Sequence, residues 1–318
     1  MASKNATETI PADAAGIARA ARILRDGGLV AVPTETVYGL AARADSDEAV
    51  ARIYEAKGRP SFNPLIVHVA DAREARGFAD LPHTAGVLAD LVWPAALTLV
   101  VPVRPDAKLA KAVTAGLDTV ALRCPDHPVM QALLAAVDFP LAAPSANRSG
   151  FISPTCAQHV AETLDGRIDL ILDDGRGCAN GVESTILAIR EDGTWEELRP
   201  GPIDLDALHT HYRDEPMSSR PSSAKIEAPG QLASHYAPGK PVRLNAEEGG
   251  EGEFLIGFGP IIGDVTLSGS GSLSEAAARL YACLHEGAAS DKPRIAVAPI
   301  PHEGIGIAIN DRLKRAAA

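Results

Sequence analysis

Long apolar runs are missing from this sequence of 318 residues. A helix that crosses a membrane needs about eighteen or more consecutive apolar residues, and the sequence contains no such run. Residues 1–11 are polar and have no apolar core, so we expect no signal peptide. Together these absences predict a cytoplasmic protein with no membrane partner.

Cysteine is scarce, and no two cysteines are spaced as C-x-x-C. This spacing predicts neither a disulfide framework nor a zinc site, which agrees with a reducing compartment. We therefore expect no metal held by the protein's own side chains. The four cysteines are Cys124, Cys156, Cys178 and Cys283.

Several common catalytic motifs are also absent. The sequence has no G-x-x-x-x-G-K-[ST] segment, which excludes a Walker P-loop. Glycines near residues 257 and 269 lack the G-x-G-x-x-G spacing of a dinucleotide site. No G-x-S-x-G or H-E-x-x-H segment occurs, so neither a serine hydrolase nor a zinc protease is indicated.

Basic residues are fewer than acidic residues. The sequence has 30 Lys and Arg against 41 Asp and Glu, which gives a formal net charge of −11. A protein that binds nucleic acid through its overall field carries the opposite balance. We expect no stable complex with nucleic acid, although a local basic pocket stays compatible with this charge.

What the sequence does contain indicates two folded domains. Its length exceeds that of most single cores, and 46% of its residues are hydrophobic. Strand and helix patterns alternate irregularly, which predicts an α/β fold with a mixed, twisted sheet and flanking helices. Strand candidates are 29–32, 65–69, 97–101, 119–122, 141–143, 170–172, 185–189 and 195–198; helix candidates are 12–26, 46–56, 84–91, 127–137 and 154–164.

The composition changes at residues 214–239, where Pro, Ser and Gly crowd a segment with few apolar residues. Such a segment is typical of a linker or a long functional loop. Strand and helix patterns resume after it and predict a small α/β domain. We assign residues 12–202 to a first domain, 203–240 to a linker or lid, and 241–318 to a second domain.

The stretch from Lys57 to Val69 places two cations, an amide and an imidazole close together. A helix is predicted before it, with Asp45 and Glu48 as a capping box, and a buried strand after it. Lys57 and Arg59 are therefore expected on a loop, and a Lys-x-Arg pair on a loop suits a phosphate. Ordinary solvated surface charges are the alternative.

Three further polar segments could bind a ligand or be structural. The loop 143–150 carries hydroxyls, an amide and a guanidinium, and Ser153 after it is predicted to cap a helix with Pro154 at its first position. Residues 181–186 form a turn into a strand. Arg123 ends a strand, where an arginine often pairs with a structural carboxylate.

Taken in order, these segments resemble the threonylcarbamoyl-AMP synthases, with a YrdC-like domain followed by the C-terminal extension of the two-domain members. The resemblance implies a YrdC-like first domain and a smaller Rossmann-like second domain. The matching stretches are 33–40, 57–69, 145–147, 181–186, 198–201, 228–230 and 235–238.

The resemblance implies that L-threonine, bicarbonate or CO2, and ATP give threonylcarbamoyl-AMP and pyrophosphate, the first step of tRNA threonylcarbamoyladenosine formation. A separate tRNA threonylcarbamoyl transferase complex would use the product. It also implies that Lys57 and Arg59 are catalytic and that ATP brings Mg²⁺. ATP would contact Arg59, Asn63, Thr119, Ser145, Asn147, Ser153, Arg199 and Tyr236; threonine would contact Thr36, His68, Arg123, Ala143 and Ser184.

No residue stands out as the general base for the threonine amine. His68 has a suitable intrinsic pKa, and Glu35 and Glu183 are rivals. Two other function classes stay open, an RNA-binding module and a carbamoyl-transfer enzyme of the YrdC-like group. Steep salt dependence of RNA binding would favour the former, and pyrophosphate release without threonine would favour the latter.

Overall fold

The computed structural model describes residues 6–211, 227–231 and 235–318. The first domain is built on a ten-stranded sheet in the order β1-β8-β2-β3-β7-β4-β6-β5-β9-β10. Its strands are β1 Glu8–Pro11, β2 Val30–Val32, β3 Gly39–Arg43, β4 Ile66–His68, β5 Leu97–Pro102, β6 Thr119–Arg123, β7 Leu141–Ala142, β8 Leu170–Asp173, β9 Thr185–Ile189 and β10 Trp195–Arg199.

Eight helices among the described residues follow or flank this sheet. The predicted helices are confirmed to within a few residues, while three short helices and strands β1 and β3 had no prediction. The helices are α1 Ala14–Arg25, α2 Asp47–Lys57, α3 Ala72–Ala75, α4 His83–Val92, α5 Lys111–Thr114, α6 Pro128–Ala136, α7 Ala157–Leu164 and α8 Leu205–His211. Helix α8 lies within the range predicted as a linker.

The predicted mixed sheet is confirmed. Strand β4 runs parallel to β6 and antiparallel to β7, and β5 runs antiparallel to β6 and parallel to β9. His68 is therefore beside Arg123, Arg123 is beside Thr98, and Thr98 is beside Ile186. Because side chains alternate between the two faces of a strand, this register aligns one row of residues across the centre of the sheet.

The second domain contains a four-stranded parallel sheet in the order β11-β14-β12-β13, which confirms the predicted α/β class. Its elements are β11 Val242–Arg243, β12 Glu253–Gly257, β13 Val265–Thr266, α9 Leu273–Ala289, β14 Arg294–Val297 and α10 Gly306–Ala316. Within the described residues, no helix combines the length and apolarity needed to span a membrane.

The second domain's apolar core includes residues from loops of the first domain. Val37, Ile152 and Val182 of the first domain belong to the same buried cluster as Leu280 and Ile309 of the second. At Gly181, φ is +65° and an added Cβ would lie 2.2 Å from the carbonyl oxygen of Ala277 in α9. Only glycine tolerates both this conformation and so close an approach, so the two domains are in backbone contact here.

Two predicted helix caps are wrong. Helix α2 is capped by Ser46, whose side chain accepts a hydrogen bond from the Ala49 amide, and not by Asp45. Helix α7 begins after Cys156, so Ser153 and Pro154 precede it. The Ser153 hydroxyl instead donates to Glu183, a partner thirty residues further on that no local pattern reveals.

Candidate functional site

A cavity of about 40 Å³ lies over the centre of the large sheet, beneath the chain segment that enters the second domain. Small-molecule pockets usually measure about 300–1,000 Å³, so this space is narrow. Eight of the predicted site residues line it: Thr36, Arg59, His68, Arg123, Ala143, Ser145, Arg199 and Tyr236.

The sheet supplies the floor of the cavity. The side chains of Ile66 and His68 lie on the same face of β4, and Arg123 of β6 is paired with His68. Ala143 donates its amide to the Ile66 carbonyl at 3.1 Å, which continues the pairing of β7 beyond its end. Rigid neighbouring strands therefore fix the relative positions of the imidazole and the guanidinium.

Arg123 forms the structural carboxylate pair that was the alternative interpretation. Its Nη2 donates to Glu35 Oε1 at 2.5 Å and to Thr36 Oγ1 at 3.0 Å. Arg123 Nε and Glu35 Oε2 are buried and have no partner among the described residues. The guanidinium thus retains an unused donor while it lines the cavity.

Lys57 is on a helix and not on a loop, which corrects the prediction. It is the last residue of α2, and Gly58 caps the helix in the left-handed conformation. Its Nζ donates to the carbonyls of Ser145 and Asn147, each at 2.5 Å. Burial lowers the pKa of Lys57 well below its ordinary value. Lys57 therefore holds the 145–147 loop in place and does not itself line the cavity.

Arg59 follows on the predicted loop and lines the cavity directly. Its Nε and Nη2 donate to the carbonyls of Asn63 and Pro64, at 3.2 and 2.9 Å. Burial lowers the pKa of Arg59 to about 10, so the guanidinium is still charged at neutral pH. The turn after α2 therefore directs the Arg59 guanidinium into the cavity, and the two carbonyls hold it in position.

Arg199 contributes the third guanidinium. Its Nε donates to the Ser184 carbonyl at 3.0 Å, its Nη2 to Ser184 Oγ at 3.1 Å and its Nη1 to the Pro229 carbonyl at 3.2 Å. Ser184 Oγ also exchanges a hydrogen bond with Thr98 Oγ1 at 2.7 Å. Ser184 therefore anchors Arg199 and is not itself a lining residue.

The cover of the cavity comes from residues that follow the first domain. Pro229, Gly230, His235 and Tyr236 all line it. A Cβ on Gly230 would lie 2.9 Å from Tyr236 Oη and 3.0 Å from Arg199 Cδ, so the backbone passes close to both side chains. Tyr236 has a φ of +64°, an unusual conformation for a tyrosine.

Two of the candidate bases, His68 and Glu183, have a pKa below the ordinary value. Burial, and then the charge of Arg123, lowers the pKa of His68 to about 3. Burial alone would raise the pKa of Glu183, but the charges of Arg312 and Arg199 and hydrogen bonds from Arg312 and Ser153 lower it to about 2. Because both groups are weak bases, neither suits removal of an amine proton.

Besides Lys57 and Ser184, four predicted residues lie away from the lining. Asn63 and Asn147 are buried, and Asn147 Nδ2 donates to the carbonyls of Arg148 and Phe151. Ser153 is hydrogen-bonded to Glu183. Thr119 is on the same face of β6 as Arg123 but four residues earlier, about 13 Å along the strand.

Sequence reasoning missed several lining residues: Thr34, Val37, Gly39, Ile66, Pro144, Pro229, Gly230 and His235. Most are apolar or small, so they carry no chemical signal of their own. Their position was the only signal, because each lies within a segment that the sequence had already singled out. Ser234 and residues 214–226 of the predicted linker lie outside the described residues.

Comparison with known proteins assigns the chain to a family. A family model described as "Telomere recombination" matches residues 22–201, and one described as "Threonylcarbamoyl-AMP synthase, C-terminal domain" matches residues 196–318. The threonylcarbamoyl-AMP synthase of Bacillus subtilis is 42% identical and covers 95% of this chain and 92% of its own length. The chain belongs to the threonylcarbamoyl-AMP synthase family.

Other members of the family extend the comparison. The threonylcarbamoyl-AMP synthase of Pyrococcus abyssi is 37% identical, covering 94% of this chain and 93% of its own length. A solved structure of Pyrococcus abyssi Sua5 complexed with L-threonine has a TM-score of 0.85 and 36% identity over 95% of this chain and 94% of that one. The family uses ATP as a substrate, as its product name indicates.

Proposed function

We propose that this protein joins L-threonine, bicarbonate or CO2, and ATP into threonylcarbamoyl-AMP with release of pyrophosphate. The observation that carries the proposal is that three guanidiniums, from Arg59, Arg123 and Arg199, line one narrow cavity. Both a triphosphate and an amino-acid carboxylate are anions that arginine binds well. The relatives named for this product support the assignment.

The chemistry requires a carbamate oxygen to attack the α-phosphorus of ATP while pyrophosphate leaves. Such transfer depends mainly on positioning and on neutralising the phosphate charge. Arg59 and Arg199 would neutralise the triphosphate, and Lys57 would hold the loop that carries Ser145 against the nucleotide. Asn63, Thr119, Asn147 and Ser153 remain proposed nucleotide contacts that would require a rearrangement or a longer ligand reach.

Threonine would bind at the strand ends. Arg123 would bind its carboxylate through the guanidinium, and Thr36, His68 and Ala143 would surround the remainder. Ser184 remains a proposed threonine contact that would require a rearrangement, because its hydroxyl now holds Arg199. Because His68 is neutral at working pH, it would accept or donate a hydrogen bond without carrying charge. With His68 and Glu183 both weak bases, we infer that carbamate formation relies on positioning.

Magnesium would enter with ATP. The described residues contain no cluster of three or more His, Cys, Asp or Glu side chains that could hold a metal ion. The triphosphate oxygens would therefore supply its ligands, and the ion would add charge neutralisation at the leaving pyrophosphate. The product would then pass to a tRNA threonylcarbamoyl transferase complex.

A single assay tests the function. Purified protein with ATP, Mg²⁺, threonine and bicarbonate is expected to release pyrophosphate and to form an adenylate with the mass of threonylcarbamoyl-AMP. Omission of either threonine or bicarbonate should reduce release to the background rate. Pyrophosphate release that does not depend on threonine would contradict the proposal and favour a different carbamoyl-transfer activity.

We further propose that the segment with Pro229, Gly230, His235 and Tyr236 is a lid. Tyr236→Ala should raise the KM for ATP about tenfold, because the ring closes the cavity beside Arg199 and its removal admits water. Tyr236→Phe keeps the ring and serves as the matched control. ATP kinetics of Tyr236→Ala that equal those of the wild type would remove the lid from the mechanism.

A further inference from the structure

We propose that Tyr281 and Arg312 of the second domain are positioning residues for Glu183, so that the second domain sets the geometry of the substrate cavity. This inference rests on the proposed function. Glu183 lines the cavity, whereas Tyr281 and Arg312 lie behind it on α9 and α10. Neither of the two was predicted as a site residue.

The carboxylate of Glu183 is held on every side. Tyr281 Oη lies 3.0 Å from Oε1 and 2.9 Å from Oε2 and donates its single proton to the carboxylate, and Arg312 Nε donates to Oε2 at 2.8 Å. Ser153 Oγ donates to Oε1 at 2.6 Å. One donor of these three comes from the first domain and two come from the second, so the carboxylate bridges the domains.

The clamp is fully removed from water. Arg312 and Tyr281 have no exposed surface, and Glu183 is 6% exposed. Charge-assisted hydrogen bonds are strongest in such surroundings, and they fix orientation because an alternative rotamer would leave a buried charge without a partner. Arg312 is fixed in turn by Asp311 Oδ2, which accepts from its Nη1 at 2.8 Å.

The position of Glu183 affects the cavity through Ser184, the next residue in the sequence. Ser184 accepts two hydrogen bonds from Arg199, through its carbonyl and its hydroxyl. Displacement of Glu183 would therefore shift both anchors of a guanidinium that lines the cavity. On the other side, the clamp packs against the cover, since the Tyr236 ring lies 5.7 Å from that of Tyr281 and 5.6 Å from Arg312 Cζ.

The close approach at Gly181 supports the same conclusion independently. The backbone at Gly181 lies against the backbone of Ala277 in α9. Gly181 is two residues before Glu183, and Ala277 is four residues before Tyr281. The turn cannot move away from the cavity without α9 moving as well. The second domain therefore contacts both the Glu183 side of the cavity and its cover at Tyr236.

The test compares Tyr281→Phe, which removes one hydroxyl from the clamp and keeps the ring, with wild type in the full-length protein. We expect kcat/KM for ATP to fall about tenfold to a hundredfold, the range expected for losing a hydrogen bond to a charged group. The fall should come mainly from a higher KM, because the clamp acts on Arg199 and Tyr236. Loss of the buried hydroxyl also lowers the melting temperature, but the protein stays folded at the assay temperature. Arg312→Lys, which keeps the positive charge but loses the several donors of the planar guanidinium, should behave similarly.

Lys292→Gln is the matched control, because it breaks an exposed ion pair with Asp264 in the same domain. Calorimetric titration of ATP provides a readout that does not depend on turnover. Wild-type KM values and ATP affinity in a folded Tyr281→Phe protein would overturn the inference, whatever Arg312→Lys does. Absence of threonine-dependent turnover in the wild type would instead refute the proposed function, so the two failures are distinguishable.

Discussion

Arg59→Ala is expected to lower kcat/KM for ATP about 10²- to 10³-fold while the protein stays folded. Removal of one preorganised donor to a developing charge has an effect of this size in other enzymes. Arg59 lines the cavity, and its Nε and Nη2 are held by two carbonyls, so the charge is in place before ATP arrives. Steady-state pyrophosphate release at varied ATP measures the effect.

The control for this substitution is Arg73→Ala, which removes a guanidinium that is 93% exposed and far from the cavity lining. It should leave turnover unchanged. Nearly wild-type kinetics in Arg59→Ala would mean that the phosphates bind elsewhere.

Lys57→Ala should also abolish most activity, but through a different cause. The substitution leaves the carbonyls of Ser145 and Asn147 without their buried donor, which costs stability as well as catalysis. A drop in melting temperature should therefore accompany the loss of activity in Lys57→Ala. Arg59→Ala also removes donors to two buried carbonyls, so the two variants are distinguished by ATP binding, because of these two residues only Arg59 lines the cavity.

Gly181→Ala is expected to destabilise the protein by about 2–5 kcal/mol. A left-handed backbone costs alanine about 1–2 kcal/mol, and forcing a methyl group into a packed site adds about 1–3 kcal/mol. The added Cβ would lie 2.2 Å from the Ala277 carbonyl oxygen and 2.4 Å from Ala278 Cα, so α9 would have to move. Urea denaturation measures the loss.

Gly175→Ala separates the two contributions. Gly175 has a φ of +71°, close to that of Gly181, but no atom lies within 4 Å of an added Cβ. The control should therefore show the backbone cost alone. An equal loss in both variants would mean that the contact between the domains tolerates the methyl group.

Local patterns predicted the large sheet well, because its strands are short apolar runs with clear ends. Strand β9 was predicted to the residue. Strand β1 was missed because its four residues are mostly exposed and polar in pattern, and only pairing with β8 makes them a strand. Helix α2 was predicted with the wrong cap because Asp45 and Ser46 are both good capping residues and differ by one position.

The candidate site was predictable where a residue's type and position carried the signal, as for Arg59 and Arg123. The role of Lys57 was not, because its partners are backbone carbonyls almost ninety residues away. The same limit applies to Glu183, whose partners Tyr281 and Arg312 are in another domain. Long-range contacts decide whether a polar side chain faces a ligand or supports the residue that does.

The narrow cavity has a kinetic consequence. The free space is several times smaller than the roughly 300–1,000 Å³ of a usual ligand pocket, so under the proposed function Pro229, Gly230, His235 and Tyr236 move outward once in each catalytic cycle to admit ATP. The same movement must precede departure of the adenylate, a mixed anhydride that water destroys. Maximal turnover would then track the frequency of this opening, and a viscous solvent would slow it even though the bond-making step is unaffected.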